Sequence, residues 1–104
     1  MNIQPAQLPS AKMKNGQGVS MNKYEATLEL YEARNAVQIA RADGAGQFAA
    51  DTLNKAQSYL DQAESFNTQK NFKSVTDNAR QAVEAASDAR TIAMREKAQN
   101  QRVQ

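Results

Sequence analysis

The stretch NFKSVTDNARQAVEAASDARTIA, Asn71 to Ala93, decides the architecture. Within it Phe72, Val75, Ala79, Ala82, Ala86, Ala89 and Ala93 recur at spacings that alternate three and four residues. That alternation lays one continuous seam along an α-helix. Nearly every seam residue is alanine, so a partner helix can approach closely. The next seam positions are Glu96 and Asn100, so the buried register ends at Ala93. The helix is expected to span about 71–100, with residues 94–104 exposed and frayed. Arg90, Arg95, Lys97 and Arg102 make this end basic, which complements the negative end of a helix dipole. A patch for an anionic lipid or acidic polymer is the other reading, but these charges are not confined to one face.

Upstream, the polar break Asn67–Asn71 separates this helix from another, expected over about 49–68. The apolar set of that helix is Ala49, Leu53, Ala56, Tyr59, Leu60, Ala63 and Phe66, all in one sector of the helical wheel. Asp51 falls in its first turn, where a negative charge suits the dipole. So short a connection makes the two helices antiparallel neighbours. Phe66 and Phe72 flank the turn and are expected to pack on each other as core, not as a ligand platform.

A first helix is expected from about Met21 to Asp43, with Ser20 as N-cap. Gly44 supplies a left-handed C-cap, and Gly46 loosens the connection that follows. This helix has two apolar sides. Ala26, Leu30, Ala33, Val37 and Ala40 share one; Met21, Tyr24, Leu28, Tyr31, Ile39 and Ala42, with Asn35 among them, share the opposite one. Between them run a basic strip, Lys23, Arg34 and Arg41, and an acidic strip, Glu25, Glu29, Glu32 and Asp43. An ordinary surface helix has one apolar face. The second makes Met21, Tyr24, Leu28, Tyr31, Asn35 and Ile39 a candidate interaction face for another copy or a protein partner. Tyrosines lying along a bundle edge with their hydroxyls in water would give the same pattern. Residues 1–19, with Pro5, Pro9, Gly16 and Gly18 among Gln, Asn, Ser and Lys, read as a flexible leader.

Composition narrows the chemistry. The 104 residues suit one small domain, and only 6% are aromatic. Mean hydropathy is −0.77, which suits narrow helix–helix seams and not a thick core. With no Cys and no His, disulfides, thiol nucleophiles, imidazole bases and His metal sites are excluded. The net charge of +2 is well mixed in sign and does not suggest a nucleic-acid partner. No apolar run is long enough to span a membrane. Glu25, Glu29 and Glu32 are helical neighbours, but they lie on a charged strip and lack the histidines of a di-metal bundle. Gly44-Ala45-Gly46 follows a helix, lacks the Lys-Ser/Thr ending and is not a phosphate loop. No catalytic, cofactor-binding or metal residue is expected.

The order of residues nevertheless resembles a known family. The run Ala40-Arg41-Ala42-Asp43-Gly44-Ala45-Gly46-Gln47-Phe48-Ala49 leads into Leu53, Ala56, Leu60 and Ala63. A polar turn, Phe72 and then Ala79-Arg80-Gln81-Ala82 follow. Over about residues 26–100 this is similar to the bacterial domain-of-unknown-function family four-three-nine-eight. The resemblance implies a cell-envelope or periplasmic setting, because members are commonly exported or lipid-anchored and some precede an OmpA-like domain. It carries no catalytic residues. Ala63, Phe72 and Ala79 around a short turn also resemble one tetratricopeptide hairpin, which keeps a peptide-binding adaptor as the alternative. The expected fold is all-α, an antiparallel three-helix bundle built as a helical hairpin plus an N-terminal helix. Its long C-terminal helix projects past the core. The expected role is a non-enzymatic spacer or oligomerisation unit, with peripheral envelope association and a homo-oligomeric or protein partner.

Overall fold

A computed structural model describes residues 15–103, with side chains over 21–102. Among the described residues four helices follow in order: α1 (Asn15–Ala42), α2 (Ala45–Phe48), α3 (Ala50–Thr68) and α4 (Phe72–Val103). The class is all-α, and successive long helices run antiparallel. Helix α4 packs along both α1 and α3, which touch each other much less. It is therefore the central helix, parallel to α1 and antiparallel to α3. The chain extends 63 × 33 × 14 Å, a flat and elongated shape. At about 1.5 Å per residue neither α1 nor α4 alone reaches that length, so their ends are staggered.

The central position of α4 explains its composition. Val75, Ala79, Ala82, Ala86, Ala89 and Ala93 are buried, and Phe72 is half-buried against the core. Thr76 and Ala85 are buried too, and Val83 and Ile92 partly so. Two neighbours cover a wider arc than one heptad stripe, and alanine on both sides lets both come close. Among the described residues the bulkiest side chain wholly removed from water is Val75. At about 0.8 kcal/mol per buried methyl-sized group, cohesion is a sum of many small increments. Leu30, Val37, Leu53 and Leu60 from α1 and α3 supply the larger ones.

The turns are built from identifiable parts. Gly44 has φ 93°, the left-handed residue that ends α1. The α3 end is a Schellman motif: Asn71 N–H donates to Phe66 O and Lys70 N–H to Asn67 O, each at 3.0 Å. Lys70 occupies its left-handed position with φ 61°, where glycine is the usual residue. Asn71 then caps α4, its side-chain oxygen accepting from Ser74 N–H at 3.4 Å. Phe66 and Phe72, either side of this turn, both pack against the core.

Three sequence expectations need correction. Helix α1 starts at Asn15 and runs through Ser20, so Ser20 is not its N-cap and residues 15–19 are not leader. Gly16 and Gly18 fall in its first turn, and a glycine costs a helix only about 1 kcal/mol. The remaining leader, residues 1–14, lies outside the described residues. The Gly44–Phe48 connection is not loose. Gln47 and Phe48 N–H both donate to Gly44 O at 3.0 Å, and buried Ala45 with half-buried Phe48 fastens the turn to the core. Finally, the end of α4 stays helical to Val103 instead of fraying. Its Lys, Arg, Gln, Glu and Ala residues are good helix formers. The Lys97 ammonium also comes close to Gly44, near the negative end of α1.

Two substitutions test this construction. Ala82→Leu forces bulk between α4 and its neighbours, and thermal or denaturant unfolding should show a loss of about 1–3 kcal/mol. Lys70→Gly relieves the left-handed turn and should gain about 0.5–1 kcal/mol in the same assay.

Candidate interaction surface

The geometry of α1 follows from its four-strip wheel. Ala26, Leu30, Ala33, Val37 and Ala40 are buried against the bundle. The basic strip turns toward α3. Arg34 donates from Nε and Nη2 to both carboxylate oxygens of Glu64, each at 2.8 Å. Arg41 Nη2 donates to Gln57 Oε1 at 2.6 Å, and the Gln57 amide donates on to Asp61 at 3.0 Å. The acidic strip turns toward α4. Arg80 donates to Glu25 at 3.0 Å and lies 3.3 Å from Glu29, and Arg90 pairs with Asp43. Each strip thus clasps a different neighbour, and the signs fix which helix lies on which side.

The remaining face points away from the bundle. Met21, Tyr24, Leu28, Tyr31 and Ile39 are exposed, Tyr24 at 63% and Tyr31 at 58%, and Asn35 is exposed among them. All six therefore share one outward surface on a single helix. The Arg34 guanidinium lies 5.5 Å from the centre of the Tyr31 ring. The same arginine holds Glu64, so one side of the surface is braced from below. Next to Ile39 a shallow cleft of about 170 Å³ continues between α1 and α4, lined by Ala36, Val83, Ala86, Ser87 and Arg90. On α4, Met94 is also exposed, beyond the end of α1. The ion pairs across the helices were not foreseen from sequence. The signal was present: two strips of opposite sign flanking a buried face.

Among the described residues no group of three or more His, Cys, Asp or Glu side chains could hold a metal ion. Glu25 and Glu29 are engaged by Arg80 and are not a free carboxylate pair. No described helix is long and apolar enough to cross a membrane.

The fold and surface define a small all-α helical bundle with an exposed apolar helix face. Over residues 28–104 the sequence matches the family described as Domain of unknown function (DUF4398), and the chain belongs to that family. Comparison with curated proteins and with solved structures gives no match.

The Arg34–Glu64 pair gives a pH prediction. The hydrogen bonds from Arg34, reinforced by its charge and opposed by partial burial, hold the Glu64 carboxyl below its ordinary value. A lowered carboxylate contributes stability above the unfolded-chain value and loses it as pH falls through the folded one. Both side chains are about 40% exposed (43% and 40%), so water screens the pair and its worth is at most about 1 kcal/mol. Acid titration of the unfolding midpoint should show a small loss below the ordinary glutamate range. Glu64→Gln should be less stable at neutral pH and should flatten that part of the curve.

Proposed function

We propose that this chain is a non-enzymatic helical spacer and association module of the bacterial cell envelope, with the outward face of α1 as its contact surface. The observation that carries the proposal is that row of exposed Met, Tyr, Leu and Ile side chains on a rigid, doubly clasped helix. Apolar side chains collected on one exposed helix face mark interaction sites, whereas scattered ones need no explanation. The face is convex, so it suits a second helix laid alongside better than an extended peptide held in a groove. The elongated 63 Å body suits a spacer. The envelope setting rests on the family, whose members are commonly exported or lipid-anchored.

Light scattering tests the association. The wild-type mass should rise above the 11.4 kDa of one chain as concentration increases. The triple substitution Tyr24→Gln, Leu28→Gln, Tyr31→Gln should hold the mass at that of a single chain while circular dichroism stays fully helical. A wild type that remains at the single-chain mass at high concentration would sink the reading.

A further inference from the structure

We draw no further inference here: the strongest candidate, the outward apolar face of α1 with Tyr24, Leu28 and Tyr31 exposed on it, is the surface already described, and nothing in the structure shows what covers it.

Discussion

The close approach of three helices through alanine is the constraint on which the rest of the structure depends. Alanine at Ala79, Ala82, Ala86, Ala89 and Ala93 of α4 leaves no room for bulk and little area per contact. It also lets α4 be covered from two sides at once. A central helix with narrow seams gives a thin, long body, 14 Å deep in its least dimension, and not a rounded domain. Small seam residues therefore set the shape, and the shape leaves one side of α1 outside the core.

Seams made of small side chains hold helices close but specify poorly which helix goes where. Polar pairs supply that information. Arg34 finds Glu64 on α3, while Arg80 and Arg90 of α4 find Glu25, Glu29 and Asp43 on α1. Each pair is partly exposed and individually weak. Their arrangement matters more than their energies, because exchanging the places of α3 and α4 would set like charges together. The left-handed Gly44 and Lys70 then fix where each helix stops. With its register held by charge and its C-terminal end by the Gly44 turn, α1 presents its outer face as a stiff rod.

Much of this was legible in the sequence. The alternating seam from Phe72 to Ala93, the amphipathic stripe from Leu53 to Phe66 and the glycine at Gly44 follow periodicity and turn chemistry, which are local properties. The two-sided wheel of α1 also separated buried Ala26, Leu30, Ala33, Val37 and Ala40 from exposed Met21, Tyr24, Leu28 and Tyr31. What escaped was cooperative or non-local. Gly16 and Gly18 look like helix breakers alone but fall in the first turn of a helix that runs on to Ala42. Lys70 in a left-handed turn carries no sequence signal, because a Schellman motif depends on the carbonyls it satisfies. Ala85 and Thr76 looked unremarkable until α4 proved to have two neighbours. The partners of the charged strips depend on which helices become adjacent, and periodicity within one helix does not encode that.

The central claim is that the exposed face of α1 is an association surface, and the three tyrosines report on it most directly. Tyr24 and Tyr31 lie on that face, while Tyr59 sits half-buried on α3 and serves as an internal reference. The measurement is an NMR dilution series that follows their ring resonances. Tyr24 and Tyr31 should shift together along one binding curve as concentration rises, with Tyr59 unmoved. Ring signals of Tyr24 and Tyr31 that stay fixed over the whole concentration range would contradict the account.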